Sequence, residues 1–458
     1  MGVNIMDVKS MAEKYRDELV AKLGKLVAIN SVEGKPLADA PFGEGPRKAL
    51  VTALKMMEDD GFRTVNLDNY AGYAEMGHGS QLIGIVGHLD VVPAKKEDGW
   101  DTDPFVMSEK DGVLYGRGVA DDKGAVVASM IAMKIIRDMG VDVNKRIRLI
   151  MGTNEETGSR CLAHYVEKEG SVDYGFTPDG EFPGVHGEKG MVQAVYRSRK
   201  TGIRAIEGGT AKNVVCPRCT VSLDRCSFSK KKLEDYFNNN NLEYSIEEGN
   251  DLVTISLQGV AAHASLPELG TNAISYLMCG LREAGLQDPF VDFYCSHFGT
   301  DYDGSGVGIK CSDEYGPLTL NNGMISMKDG VIEGSIDIRF PVTMMSRQIV
   351  KMMSSHLADD GGEIEILGTV EPLYFDPESP LVKSLLEAYQ EVTFDTKTMP
   401  MVIGGGTYAK GIDNTIAFGC AFPEKDYRIH NTNEYCPVDE LLLQAEIYVA
   451  AILKLLAL

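Results

Sequence analysis

Three apolar runs in the first half of the chain each end in side chains that bind metals or move protons. The runs QLIGIVGH (81–88), IRLIMG (147–152) and YGFTP (174–178) are short and continuously apolar, as buried parallel strands are. A helical pattern from Gly124 to Arg137 separates the first two runs. Alternation of strand and helix predicts an open α/β sheet, whose functional groups gather at the carboxyl ends of the strands.

The polar side chains near these strand ends form a set suited to divalent cations. Histidine nitrogen with carboxylate oxygen is a good ligand set for zinc and an acceptable one for manganese or cobalt. One such residue at a strand end is more often a turn or cap residue, but several at successive strand ends favour a metal site. The candidates are His88 and Asp90 in GHLD, Asp121 in GVADDKG, Glu155 and Glu156 in TNEETG, Asp179 in FTPDGEF, and His430 in YRIHNTNE.

The two adjacent glutamates raise a separate question, because like charges side by side repel one another. Neighbouring residues on a strand or in a turn point in different directions. We therefore expect Glu155 and Glu156 to have different roles.

From about residue 190 the pattern changes to that of antiparallel strands with helical stretches between them, which is typical of an α+β module. The α/β pattern returns near residue 380 with a helix, the apolar run TIAFG (415–419) and a last amphipathic helix. A chain of 458 residues is too long for one compact core. We therefore predict an α/β catalytic domain, with a central mixed sheet flanked by helices, formed by residues 1–187 and 377–458. An inserted α+β lid domain, residues 188–376, interrupts it.

Charge and composition exclude several classes of protein. The formal net charge of −22 repels phosphate groups, so we expect neither a nucleic-acid partner nor an anionic membrane. Nine cysteines are spread over a long chain without the dense spacing of a secreted disulfide scaffold. The amino terminus is charged throughout and unlike a signal peptide, and no apolar run reaches the length of a membrane helix. These features predict a cytoplasmic protein.

The sequence motifs of the chain resemble those of the co-catalytic zinc metallopeptidases. This family includes aminoacylases, glutamate carboxypeptidases and succinyl-diaminopimelate desuccinylase. The long insert adds a resemblance to the PepV-like Xaa-His dipeptidase branch. The segments that carry the resemblance are GHLDVVPA, YGRGVADDKG, GTNEETGS, FTPDGEFP and RIHNTNE for the family, and GPRKAL, GWDTDPF and EFPGVHGEKG for the branch.

The resemblance implies two divalent metal ions, with zinc expected and manganese or cobalt as alternatives. Asp121 would bridge the ions, as a two-metal site requires of one shared carboxylate. The other implied ligands are His88 and Asp179 for one ion, and Glu156 and His430 for the other. The peptide bond from Asp121 to Asp122 is cis in this family.

The resemblance also implies the catalytic residues. Asp90 would accept the second N–H of the His88 imidazole and fix its orientation. Glu155 would be the general base that moves a proton from water to the leaving amine. His263, in GVAAHAS of the insert, would stabilise the oxyanion of the tetrahedral intermediate.

Substrate binding is implied for two residues of the insert and for one loop. Asn213 in TAKNVVCP would hold the substrate backbone, and Arg339 in DIRFP its terminal carboxylate, which the planar guanidinium suits. The run from Gly404 to Tyr408 is expected to open a helix, whose backbone N–H groups at Gly405 and Gly406 would add a second grip.

The function that follows from the resemblance is hydrolysis of dipeptides with a free amino terminus, possibly of the Xaa-His type. An N-acyl amino acid deacylase or a desuccinylase remains an alternative with the same chemistry. A non-catalytic metal-binding protein is a more distant one, because it predicts loss of the base or of a ligand, and neither is substituted. The enlarged insert favours a monomer over a homodimer, and the expected partner is a small peptide substrate.

Overall fold

The computed structural model describes residues 5–224, 228–356 and 363–458. The α-helices in this part of the chain are α1 (Ile5–Lys14), α2 (Arg16–Val27), α3 (Glu44–Asp59), α4 (Lys123–Asp138), α5 (Arg160–Glu169), α6 (Lys230–Asn239), α7 (Ala273–Glu283), α8 (Pro289–His297), α9 (Ser346–His356), α10 (Pro380–Thr393) and α11 (Val438–Ala457). The strands are β1 (Arg63–Leu67), β2 (Ala71–Gly77), β3 (Leu82–His88), β4 (Ser108–Lys110), β5 (Val113–Tyr115), β6 (Arg146–Gly152), β7 (Tyr174–Thr177), β8 (Gly180–Glu181), β9 (Val185–Glu188), β10 (Gly190–Ser198), β11 (Ala205–Gly208), β12 (Arg218–Asp224), β13 (Glu243–Glu248), β14 (Leu252–Gln258), β15 (Ser312–Asp313), β16 (Gly316–Pro317), β17 (Thr319–Asn321), β18 (Ile325–Lys328), β19 (Val331–Phe340), β20 (Glu363–Val370), β21 (Leu373–Tyr374), β22 (Met401–Ile403), β23 (Thr415–Ala417), β24 (Cys420–Ala421) and β25 (Tyr435–Pro437).

The chain divides into two compact units. The first unit comprises the residues up to Gly187, then Phe375–Val402 and Gly406–Leu458. The second unit comprises Glu188–Tyr374 and the short return Ile403–Gly405. The first unit is thus built from both ends of the chain.

The first unit contains a mixed sheet with the strand order β1-β2-β6-β3-β7-β23-β9. Its central strands β6, β3, β7 and β23 pair in parallel, while β1, β2 and β9 are antiparallel to their neighbours. Every residue of β3 is buried, because helices cover both faces of a parallel sheet. The predicted α/β class is confirmed, and four of the apolar runs named in the sequence form the central strands.

The helices of the first unit show why its core forms. Helix α4 is buried over nearly its whole length, and the apolar helix α11 packs against it. In the opening segment, Met11, Tyr15, Leu19, Leu23 and Leu26 recur every three or four residues, which predicts one amphipathic helix. The structure has two helices there, which meet at Tyr15. The backbone of Tyr15 leaves the helical region there, and Leu19 and Leu23 on α2 are fully buried.

The second unit is an α+β module around an antiparallel sheet. The strand order is β13-β14-β12-β11-β18-β19-β10-β20, with β17 pairing with β19 off this path. Helices α6, α7 and α8 lie against β12 and β14 or against one another, and their apolar side chains fill a separate core. This unit therefore buries its own apolar surface.

Candidate metal centre

Parallel pairing brings the predicted ligands to one edge of the first unit's sheet. His88, the last residue of β3, pairs in register with Gly152, the last residue of β6. The glutamates of TNEETG follow β6, and Asp179 follows β7. Because the carboxyl ends of parallel strands lie at the same edge, these side chains meet there.

Asp121 and His430 reach the same place from loops. The alternation of strands and helices suggested that Asp121 follows a strand of the large sheet, but it does not. It precedes α4 and lies six residues after β5, a strand of a small separate sheet with β4 and β25. His430 lies in the loop before β25, with a positive φ of 63°. The peptide bond from Asp121 to Asp122 is cis, which confirms that expectation.

The carboxylate of Asp121 lies between two histidines. Its Oδ1 is 3.0 Å from Nε2 of His88, and its Oδ2 is 2.9 Å from Nε2 of His430. Asp179 Oδ2 lies 3.8 Å from the same nitrogen of His88, and Glu156 Oε2 lies 3.2 Å from that of His430. One carboxylate thus faces two imidazoles, each of which has a second carboxylate beside it.

Glu155 lies within the same cluster as the five predicted ligands. The ligand atoms of His88, Glu155 and Asp179 all lie within 4.8 Å of one another, and so do those of His88, Asp121 and Glu156. Both glutamates thus lie near His88, Glu155 together with Asp179 and Glu156 together with Asp121. The position of Glu155 by itself does not separate a base from a ligand.

Asp90 holds the glutamate pair in place. Its Oδ1 accepts a hydrogen bond from the backbone N–H of Glu155 at 3.0 Å, and its Oδ2 accepts one from that of Glu156 at 3.1 Å. The side chain is almost fully buried. The backbone oxygen of Asp90 lies 3.0 Å from Nδ1 of His88, and the carboxylate of Asp90 lies farther from that nitrogen, at 3.5 Å. Asp90 thus contacts both the histidine and the TNEETG turn.

Burial and like charge raise the pKa of carboxyl groups in this cluster. Burial, followed by the negative charge of Asp121, raises the pKa of Asp179 to about 7. Burial and the charge of Asp179 hold the pKa of Glu155 well above the ordinary range of a glutamate. Carboxylates outnumber histidines here, so the charge that divalent cations carry would stabilise the ionised cluster.

The two histidines lower the pKa of the carboxylate between them. Burial alone would raise the pKa of Asp121, but hydrogen bonds from His430 and His88 outweigh it and lower that pKa. Burial also opposes the charged form of His430, yet its hydrogen bonds to Asp121 and Glu156 raise its pKa to about 11. Imidazole nitrogen and carboxylate oxygen at these separations are donors that fit divalent cations.

Sequence reasoning missed two further residues that hold this centre, Glu33 and Glu434. Glu33 accepts a hydrogen bond from Nδ2 of Asn154 at 3.2 Å, and it also contacts Thr157 and Arg160. Glu434 is the last residue of the quoted run RIHNTNE and is fully buried. A glutamate four residues after the predicted ligand His430 was the available signal, but its partners are distant in the sequence.

The predicted residues of the insert also lie together, within the second unit. Val214 and His263 form an isolated antiparallel bridge, and the N–H of Ala264 donates to the backbone oxygen of Asn213 at 2.9 Å. The side chains of Asn213 and His263 are exposed. His263 is therefore not a buried strand histidine, the alternative for a histidine in such a segment.

Arg339 already has a carboxylate partner. Its Nε donates to Oδ1 of Asp337 at 2.6 Å, its Nη2 to Oδ2 at 3.1 Å, and its Nη1 to the backbone oxygen of Gly404 at 3.0 Å. Asp337 is fully buried. Residues two apart on a strand share a face, so the run DIRFP contains the signal for this pair. One N–H on each of Nη1 and Nη2 remains for a ligand.

The glycine run does not open an α-helix. Tyr408–Gly411 is a single 3₁₀ turn, and Thr407 caps it by accepting a hydrogen bond from the N–H of Ala409 at 3.1 Å. So short a helix has little dipole, and the argument from a helix start for Gly405 and Gly406 is wrong.

Comparison with known proteins gives the family. The model of peptidase family M20/M25/M40 matches residues 84–454. Putative dipeptidase YtjP of Bacillus subtilis is 34% identical over 462 residues, which cover 96% of this chain and 98% of that protein. A protein of Staphylococcus epidermidis, also named Putative dipeptidase, is 33% identical over 466 residues and covers 98% and 99% of the two chains.

A solved structure shares the fold. The crystal structure of human carnosine dipeptidase 1 aligns over 100% of both chains with a TM-score of 0.62 and 19% identity.

Within residues 5–224, 228–356 and 363–458, every helix is too short or too polar to traverse a lipid bilayer. The match of the family model over most of the chain, and the relatives at a third identity over nearly its full length, place the chain in peptidase family M20/M25/M40: it is a metallopeptidase.

Proposed function

We propose that the protein is a dipeptidase that uses two divalent metal ions, zinc in the first instance, to hydrolyse dipeptides with a free amino terminus. The observation that carries the proposal is the position of the Asp121 carboxylate, with one oxygen beside His88 and the other beside His430. A shared carboxylate between two ligand groups is what a two-metal site requires. The dipeptidase names of relatives that match nearly the whole chain support the substrate class.

The distances of Asp121, Asp179 and Glu156 from the two histidines support two ligand groups. His88, Asp121 and Asp179 would hold one ion, and Asp121, Glu156 and His430 the other. When bound, such ions lower the pKa of water and polarise a carbonyl group. Each ion would thus have three protein ligands, the number that is typical of a catalytic zinc site.

Glu155 is the general base in this proposal. Its backbone is fixed by Asp90, and its carboxylate lies in the cluster with His88 and Asp179. The carboxylate accepts a proton from the attacking water and then donates it to the nitrogen of the leaving amine. Glu156, held by the same Asp90, faces His430 and is a ligand.

The proposed roles in substrate and oxyanion binding fall to His263, Asn213 and Arg339. His263 donates a hydrogen bond to the developing oxyanion, and Asn213 beside it binds the peptide backbone. Arg339 binds the terminal carboxylate through its two remaining N–H groups, while Asp337 fixes the plane of the guanidinium. The bond to Gly404 restricts the guanidinium further.

A substrate panel tests the proposal and separates it from deacylation. The purified protein is loaded with zinc or manganese and assayed on Leu-Gly, β-Ala-His, N-acetyl-leucine and N-succinyl-diaminopimelate. Turnover of Leu-Gly or β-Ala-His, lost in Glu155→Gln, is the expected result. A preference for β-Ala-His would give the Xaa-His type. Turnover confined to the acylated compounds would replace dipeptidase with deacylase, and no turnover of any of the four would overturn the enzyme assignment.

A further inference from the structure

We propose that Glu434, together with Arg117, is a positioning residue that sets the backbone of the shared ligand Asp121 and joins it to the segment of His430. The inference rests on the proposed two-metal centre and extends it to residues that touch neither ion. The contacts that carry it all lie within the first unit.

One oxygen of Glu434 collects the backbone N–H groups that precede the shared ligand. Its Oε1 accepts hydrogen bonds from Gly118 at 3.0 Å, Ala120 at 2.9 Å and Asp121 at 3.2 Å. The side chain has no exposed surface. Three bonds to a single buried carboxylate oxygen fix the path of the loop up to Asp121 itself, because buried N–H groups rarely go without a partner.

The other oxygen is paired with a buried arginine. Oε2 of Glu434 accepts a hydrogen bond from Nη1 of Arg117 at 2.6 Å, and Arg117 is only 3% exposed. The guanidinium lies over the ring of Trp100 at 5.3 Å, and its Nη2 donates to the backbone oxygen of Asn431 at 3.3 Å. Arg117 thus contacts the residue directly after His430.

These contacts join two segments that are more than 300 residues apart in the chain. The N–H of Gly116 donates to the backbone oxygen of Glu434 at 3.1 Å, which adds a backbone connection to the side-chain ones. Asp121 lies at the end of the first segment, and His430 lies four residues before Glu434. The separation between the shared carboxylate and His430 therefore depends on the Glu434–Arg117 pair.

Both oxygens of the Glu434 carboxylate already accept hydrogen bonds, from Arg117 and from backbone N–H groups. A buried ion pair is a costly way to obtain stability alone, since apolar side chains of similar volume often stabilise as well or better. Control of geometry at a neighbouring site is a role that apolar side chains cannot supply.

Glu434→Gln tests the proposal with little change in volume. The amide NH₂ must face either Arg117 or the backbone N–H groups. On that side two hydrogen-bond donors then face each other, and the hydrogen bonds there are lost. Because Asp121 is shared, both ions are expected to bind more weakly, by about 10- to 100-fold, as for other residues that orient ligands. Dissociation constants come from chelator competition with zinc. The visible absorption of bound cobalt(II) reports the ligand geometry independently of activity.

Glu75→Gln is the matched control. Glu75 is a buried glutamate of the same unit and is paired with the buried Arg148 at 2.6 Å, away from the metal ligands. Both variants are expected to lower the melting temperature of the metal-free protein, but only Glu434→Gln should weaken metal binding and change the cobalt spectrum. Unchanged zinc affinity and cobalt spectrum in Glu434→Gln would overturn the positioning role, whatever its melting temperature.

Two further results separate the possible failures. If the wild-type protein binds no zinc, the proposed metal centre fails and the positioning role fails with it. If Glu434→Gln does not fold by circular dichroism, Arg117→Lys takes its place, since lysine keeps the charge but cannot reach two acceptors in the same plane. Zinc binding in Arg117→Lys equal to that of the wild type would then overturn the proposal.

Discussion

The side-chain amide of Asn154 donates from Nδ2 to Oε2 of Glu33 at 3.2 Å. On its other side, Oδ1 of Asn154 accepts hydrogen bonds from the N–H and Nε of Arg160 at 3.2 and 3.1 Å. Asparagine suits this place, because it donates toward an acid and accepts from a base. The TNEETG turn is thus anchored by Glu33 and Arg160 as well as by Asp90.

Asn154→Asp should destabilise the turn in a pH-dependent way. Two carboxylates then face each other, and the pKa of one of them must rise. At pH 8 we expect a loss of about 1–3 kcal/mol in the free energy of unfolding. The loss should be smaller at pH 5, where a proton can be shared. Urea unfolding at both pH values measures it. Adding Glu33→Gln, which supplies an amide donor, should recover part of the loss at pH 8, and strict additivity of the two changes would contradict the pairing.

The two glutamates of the turn should separate by metal content. Glu155→Gln should lower kcat by about 10²- to 10⁴-fold, the usual contribution of a general base, while metal content stays near two ions per chain. Glu156→Ala should lower metal content itself, because it removes a ligand. Elemental analysis alongside kinetics distinguishes them, and the exposed Glu167→Gln on α5 is the control. Equal loss of metal in both variants would show that the roles are assigned wrongly.

Arg339→Ala should raise KM for dipeptides with a free terminal carboxylate and have little effect on the corresponding amides. The reason is the loss of two guanidinium N–H groups directed at a carboxylate. KM for Leu-Gly and for Leu-Gly amide measures the difference. Arg197→Ala is the control, since Arg197 lies in the same sheet and pairs with Glu333 and Glu365 at the surface. An equal rise in KM for both substrates would argue against carboxylate binding.

Asn321→Ala should lower kcat/KM without changing metal content. Nδ2 of Asn321 donates to the backbone oxygens of Lys212 and Val214, at 3.2 and 3.0 Å, which flank Asn213. Asn321 is 2% exposed, so its loss leaves those acceptors poorly satisfied, at a cost of about 1–3 kcal/mol. Kinetics and elemental analysis of one preparation provide the test. A normal kcat/KM would show that the geometry around Asn213 is unimportant.

Glu446→Gln should remove a pH dependence of stability that has nothing to do with the metal centre. Burial raises the pKa of Glu446 above its ordinary 4.5, and the charges of Lys9 and Glu13 modify it in opposite directions. A carboxyl group with a raised pKa in the folded state costs no stability below about pH 4.5. Its cost grows as the pH rises toward the raised value. The variant should therefore be more stable than the wild type at pH 8 and equal to it at pH 4. Thermal unfolding at both pH values measures this, and an equal difference at both would contradict it.

Much of the architecture could be predicted because local patterns carry it. The runs 81–88, 147–152 and 174–178 became β3, β6 and β7, since a strand buried on both faces must be apolar throughout. The prediction for the opening segment was less accurate. Spacing alone predicts one helix, whereas the break at Tyr15 depends on how α1 and α2 pack. The prediction that Gly404–Tyr408 opens a helix was wrong, because a run of glycines and a cap residue do not determine how long a helix becomes.

The sequence by itself determined which residue types could bind metal. His88, the TNEETG glutamates and Asp179 follow strands that a parallel sheet aligns, whereas Asp121 and His430 reach the same place from loops. Only the tertiary structure decided how those residues are held. The bond of Asn154 to Glu33 and the contacts of Glu434 with the Asp121 loop join residues that no local pattern relates. A buried charge must find its partners wherever the fold brings them, and those partners lie as far as 317 residues away along the chain.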